Sequence, residues 1–113
     1  MVMFVTISRW TPETARAVAK RWMTVVNGTA PKPVLDAFAK MKIITQAISL
    51  PNRFTIMVYE VEEKDLIETA ALSMYFQDVC MQEQSTLMSM EDYMKASEAL
   101  PLEKIPKPER WTK

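Results

Sequence analysis

The sequence predicts an α+β domain in which one four-stranded antiparallel sheet carries its long helices on a single face. Three observations lead there. The chain opens with strand-like alternation from Val2 to Arg9. Amphipathic helical stretches begin after Thr11 and after Glu62. Between them, two more strand-like runs meet at Pro51-Asn52. The resulting order is β-α-β-β-α-β.

The first strand has two usable faces, Met3/Val5/Ile7 and Phe4/Thr6/Ser8. Thr11-Pro12-Glu13 then supplies a hydroxyl cap, a proline for the first helical position and an acid at the positive end of the dipole. Ala15, Val18, Ala19, Trp22, Val25 and Val26 recur three or four residues apart, as one apolar stripe. Asn27-Gly28 ends this helix, and the only glycine of the protein falls where a left-handed C-terminal cap needs it. Thr29 to Pro33 forms a connector, and Val34 to Lys40 a short helix or turn that packs Leu35 and Phe38.

Strands are expected over Met41 to Leu50 and Arg53 to Val61, joined by a two-residue turn at Pro51-Asn52. The second long helix starts at Glu62 to Asp65 with an inner stripe of Ile67, Ala70, Ala71 and Met74. Val79 to Leu87 is expected as the fourth strand. One long helix to Gln84 is the competing reading, because Met and Gln are good helix formers. Three strands would leave the helices poorly covered, which favours the strand. A short closing helix spans Met90 to Leu100. Residues 1–100 thus make one domain, and Pro101 to Lys113 a proline-rich arm. Ile105 and Trp111 in that arm suit docking on a neighbouring subunit, in which case the protein is a structural assembly unit.

Composition narrows the chemistry. The 113 residues include no histidine, one glycine and one cysteine. Ser-His-Asp and Cys-His machinery and histidine-bearing metal sites are excluded, and one glycine cannot build a phosphate-cradling loop. Cys80 cannot form an intrachain disulfide, which fits a reducing compartment. Fourteen basic residues balance fourteen acidic ones. The chain therefore lacks the basic excess that phosphate backbones select, and nucleic acid is not expected as a partner. No apolar run reaches the ~20 residues of a bilayer span, so no membrane partner is expected either. The N-terminus does not have the pattern of a signal peptide, which points to the cytoplasm.

The order β-α-β-β-α-β corresponds to a ferredoxin-like split βαβ arrangement. Of the two sheet faces, Met3/Val5/Ile7, Ile44/Ile48 and Phe54/Ile56/Val58 form the greasier set, expected under the helices. The other set, Phe4/Thr6/Ser8, Ile43/Thr45/Ala47/Ser49 and Thr55/Met57/Tyr59, mixes hydroxyls with bulky apolar groups. It is expected to face a second subunit or enclose a ligand.

The opening strand with Trp10-Thr11-Pro12-Glu13, the Met41 to Val61 hairpin and the run Tyr75-Phe76-Gln77-Asp78-Val79 resemble the dimeric α+β barrel superfamily. The likeness extends over residues 2–100 and is nearest to a small prokaryotic family of unknown function. The resemblance implies that two sheets pair face to face as a homodimer or higher homo-oligomer, with a small-molecule site in the barrel or between sheet and helices. Relatives of that kind include cofactor-free monooxygenases, lactone isomerases and haem enzymes. Without histidine, haem ligation does not carry over.

The expected activity is therefore binding of a small, mostly apolar ligand, against Thr6, Ser8, Thr45, Ser49, Thr55 and Tyr59, with no cofactor. A cofactor-independent isomerase or monooxygenase acting on an enolisable or aromatic compound is the alternative, with Tyr59 as its polar group. Glu60 could pair with Arg9 on the adjacent strand. Glu60, Glu62, Glu63 and Asp65 lack the spacing of a dedicated cation loop, so no metal is expected. Cys80 reads as a small buried hydrophobe and the ten methionines as adaptable packing. The third strand, Arg53-Phe-Thr-Ile-Met-Val-Tyr59, lacks the glycine and central aromatics of an RNA-stacking strand.

Overall fold

In the computed structural model, residues 1–98 are described. The predicted C-terminal arm and the last two residues of the closing helix lie outside them. The elements are β1 (Val2–Arg9), α1 (Ala15–Val26), α2 (Lys32–Ala39), β2 (Lys42–Ser49), β3 (Phe54–Val61), α3 (Leu66–Phe76), β4 (Met81–Leu87) and α4 (Met90–Glu98). A single 3₁₀ turn, Glu63–Asp65, leads into α3. The sheet order is β2-β3-β1-β4 with every neighbour antiparallel. This is an α+β arrangement consistent with the ferredoxin-like expectation, with the short α2 added between α1 and β2. Val79 and Cys80 belong to the turn before β4, and the fourth strand forms as predicted rather than a longer helix.

Local chemistry explains the element ends. Gly28 takes φ +76°, and the Thr29 N–H donates to Thr24 O (2.8 Å) while the Gly28 N–H donates to Val25 O (3.3 Å). That double closure is a Schellman cap, which L side chains resist. The start of α1 falls later than predicted: residues 12–14 form a turn, with the Thr14 N–H on Thr11 O (3.2 Å), and the helix begins at Ala15. Pro51-Asn52 sits at the centre of a four-residue connection, not a two-residue one. The Arg53 N–H closes on Leu50 O at 3.4 Å, and Arg53 itself adopts φ +52°. A non-glycine residue there costs roughly 1–2 kcal/mol.

The face assignment from composition is inverted for β1 and β3, whereas in β2 Ile48 faces the helix side and Thr45, Ala47 and Ser49 the open side, as expected. Under the helices lie Phe4, Thr6, Ser8, Thr55, Met57, Tyr59 and Val61, which pair across β1 and β3 as Phe4↔Tyr59, Thr6↔Met57 and Ser8↔Thr55. Burial along β3 alternates strictly, with Thr55, Met57, Tyr59 and Val61 buried. The greasier set Met3/Val5/Ile7 and Phe54/Ile56/Val58 lines the open face and is half-buried. Alternation has a twofold ambiguity that hydropathy alone resolved the wrong way. The aromatic and thioether groups of the inner face fill the space under the helices, and the Thr6 and Tyr59 hydroxyls bond to each other.

The core joins Met57, Tyr59 and Val61 to Val25, Val34, Ala37, Leu72 and Phe76. Trp22 braces it, tilted on Phe76 (4.8 Å between ring centres) and edge-on to Phe38 (6.3 Å). The phase of α3 also differs from expectation. Leu72 and Phe76 are buried, whereas Ile67 is 92% exposed and Met74 62%. This helix is apolar around most of its circumference, so its sequence selects no unique inner stripe.

One surface ion pair ties α1 to the turn before β4. Arg21 forms a two-pronged pair with Asp78, one prong at 2.9 Å, and also donates to Tyr75 O (2.6 Å). The guanidinium hydrogen bond holds the Asp78 carboxyl below its ordinary value near 3.8. A depressed carboxylate contributes stability above that ordinary value and loses it as pH falls through the lower, folded one. Asp78 is 63% exposed, so solvent screens the contribution. Thermal melts of wild type and Asp78→Asn should thus differ by a few degrees at neutral pH and converge as pH drops below about 3.8. A gap that widens in acid would contradict this role.

Candidate functional site

The six predicted ligand-binding residues are not brought together. A β-bulge between Ile43 and Thr45 shifts the register of β2, so that Thr45 pairs with Val58 and Ser49 with Phe54, on the open face. Thr6, Ser8, Thr55 and Tyr59 stay on the helix side. The bulge is invisible to simple alternation, because an extra residue transfers everything after it to the other face.

Of the four helix-side residues, three surround a space of only about 20 Å³ between sheet and α3, room for a single water. Tyr59 is 3% exposed, stacks on Phe4 (5.7 Å between ring centres), and shares a hydrogen bond with the Thr6 hydroxyl (3.1 Å). The Gln84 amide also donates to the Tyr59 oxygen. Thr6 and Tyr59, with Gln84 reaching in from the exposed edge strand β4, therefore form a satisfied polar network. A second hollow of about 180 Å³ beside Tyr59, Thr69 and Gln84 is below the ~300 Å³ of small-molecule sites.

Only Thr55 reaches the large opening, a cleft of about 530 Å³ between α1 and the β2–β3 end of the sheet. This volume lies within the roughly 300–1,000 Å³ of small-molecule sites. One wall is the helical stripe predicted from sequence, Ala15, Val18, Ala19, Trp22 and Val26, of which Val18 is buried and Val26 is 75% exposed. The opposite wall is built by Gln46, Ile48, Leu50, Arg53 and Thr55, with Trp10 and Phe38 closing the ends. β2 is an edge strand that the helices leave largely uncovered, and Ile48 and Leu50 are exposed at the rim.

The cleft is nearly all carbon, and Arg53 is the one charged residue lining it among the described residues. Strand pairing and the Trp10 N–H bond to Arg53 O (3.1 Å) fix the backbone on which that side chain stands. Its Nε is buried and has no acceptor among the described residues. Glu13 lies close enough for the Arg53 charge to help lower its carboxyl, after hydrogen bonding from Thr11 and its own backbone, but the two form no ion pair. Sequence reasoning missed Arg53, treating it as the start of a strand, and passed over Trp10. The sequence does place an arginine directly after a proline-asparagine turn, but not the enclosure of its Nε.

Other polar groups are already engaged. Arg9 pairs with Glu83 on β4 at 2.5 Å, and not with Glu60 as expected. Lys40 bridges Asp65 (3.6 Å) and Glu68, while Lys64 lies 3.5 Å from Glu62. Among the described residues, no three acids or thiols converge to hold a metal ion, and no helix is long and apolar enough to cross a membrane. Burial pushes the Cys80 thiol up, outweighing the nearby Arg21 charge that would lower it, so the group stays neutral and weakly nucleophilic.

No family model, curated protein or solved structure matches the chain.

Proposed function

We propose that this chain is a small-ligand-binding protein that holds a compact, mostly apolar molecule in the cleft between α1 and the β2–β3 end of the sheet. The observation that carries the reading is the cleft itself, an apolar concavity of about 530 Å³ with a few polar groups on its sheet wall. Binding is favoured over turnover. The Tyr59 hydroxyl, on which a cofactor-independent isomerase or monooxygenase would depend, is already committed to Thr6 and Gln84.

The same reading includes pairing with a second copy through the open face, in the manner of a dimeric α+β barrel. Val5, Ile7, Ile56 and Val58 form a contiguous apolar centre on that face, flanked by Thr45, Ala47 and Ser85 in register. Contiguous apolar surface of this kind marks an interaction site. Helix α4 supports the pairing: it buries nothing within its own chain, and Tyr93 and Met94 are each 55% exposed. A reducing cytoplasmic setting accords with the unpaired Cys80.

The cleft is tested with the uncharged fluorescent probe N-phenylnaphthylamine. Saturable enhancement with one site per chain is expected, and Ala19→Phe should abolish most of it by filling the cleft while leaving the circular dichroism spectrum unchanged. Absence of saturable binding, or equal binding by the variant, would contradict the assignment.

A further inference from the structure

We infer that the ligand of the cleft is an amphiphile with a carboxylate head, received by the Arg53 guanidinium while its apolar body lies along α1. The inference rests on the cleft being a binding site and specifies what that site selects. Three features converge on Arg53. It is the one charged residue lining a mostly apolar cleft among the described residues. Its Nε is enclosed by the protein and makes no hydrogen bond among the described residues, so the terminal nitrogens are left to meet a ligand. And its backbone is held at φ +52°, a conformation disfavoured for a long L side chain. Backbone strain of this sort collects where a side chain is positioned for a task.

The chemistry of the missing partner follows from the donor. The terminal nitrogens of a guanidinium offer two parallel N–H groups, which match the two oxygens of a carboxylate. A single cation balances a single negative charge; among the described residues no second lysine or arginine lines the cleft to offset a phosphate dianion. Gln46 and Thr55 stand on the same wall as neutral hydrogen-bonding groups. Beyond them, Val18, Ala19 and Trp22 give the body of the ligand only apolar contact.

The test compares decanoate with decanol, which share an alkyl chain and differ in the charged head, by calorimetry on the full chain and by tryptophan fluorescence. Trp10 and Trp22 both line the cleft and report occupancy directly. Decanoate is expected to bind roughly ten- to a hundred-fold more tightly than decanol, the span of a charge-assisted hydrogen-bonded pair. In Arg53→Asn this preference should fall to about two-fold or less. Asparagine tolerates the left-handed backbone, and a circular dichroism spectrum matching the wild type reports an intact fold. Equal affinity for the two ligands in the wild type would overturn the head-group assignment while leaving the cleft a binding site. A preference retained in Arg53→Asn would overturn the role of Arg53. No binding of either ligand would remove the cleft reading and the inference with it.

Discussion

Ile56→Lys is expected to convert the protein from a dimer to a monomer without unfolding it. Ile56 sits at the centre of the open face, opposite Ile7 on one side and Ala47 on the other. In the proposed pairing, two copies of this face meet about a twofold axis, so one substitution places two ammonium groups in one apolar interface. Like charges opposed in this way cost several kcal/mol, which weakens association by on the order of a hundred-fold or more. The single chain tolerates the change, because Ile56 is only half-buried there and a lysine stem can lie along the sheet with its charge in water. Sedimentation at micromolar concentration should show wild-type dimer and variant monomer, with matching circular dichroism spectra. A monomeric wild type, or a variant that still dimerises, would contradict the pairing.

Phe76→Ala is the substitution expected to cost most in stability. Phe76 is 4% exposed and carries Trp22 on its face and Tyr75 at its edge, so its removal leaves a void where α1, α3 and the sheet meet. Truncating a buried aromatic of this kind costs about 3–5 kcal/mol. Small domains hold only about 5–15 kcal/mol in total, so the variant should unfold at much lower urea or be partly unfolded at 37 °C. Ile67→Ala provides the comparison within the same helix. That residue is 92% exposed, and its truncation should change stability by no more than ~0.5 kcal/mol. Urea denaturation of the two variants thus tests the phase of α3, and the reverse order would mean that Ile67 faces the core.

Much of the fold could be read from the chain, and the errors share a cause. Local rules worked where one residue decides the outcome. Gly28 terminates α1 through its left-handed backbone, and Val79 to Leu87 contains the fourth strand. They failed where packing chooses between equivalent local solutions. Alternation in β1 and β3 identifies two faces but not which one the helices cover, and α3 is apolar on too many sides to select Leu72 and Phe76 over Ile67 and Met74. The bulge after Ile43 then separated Thr45 and Ser49 from the residues with which alternation had grouped them.

The candidate site was less legible than the fold. The stripe from Ala15 to Val26 was visible as a helix face, but periodicity does not distinguish a face that packs from one that walls a cleft. Whether a cleft remains depends on how closely α1 approaches β2, and these elements are separated in sequence by the whole of α2. Arg53 became notable only when a buried donor without an acceptor coincided with the strained backbone and the apolar walls.

The cleft as a binding site is tested most directly by intermolecular nuclear Overhauser effects between bound decanol and the methyl groups of the protein. The ligand chain should contact the methyls of Ala15, Val18 and Ala19 on one wall and Ile48 on the other. Contacts confined to Val5, Ile7 and Val58 on the open sheet face, or none at saturating ligand, would contradict the assignment.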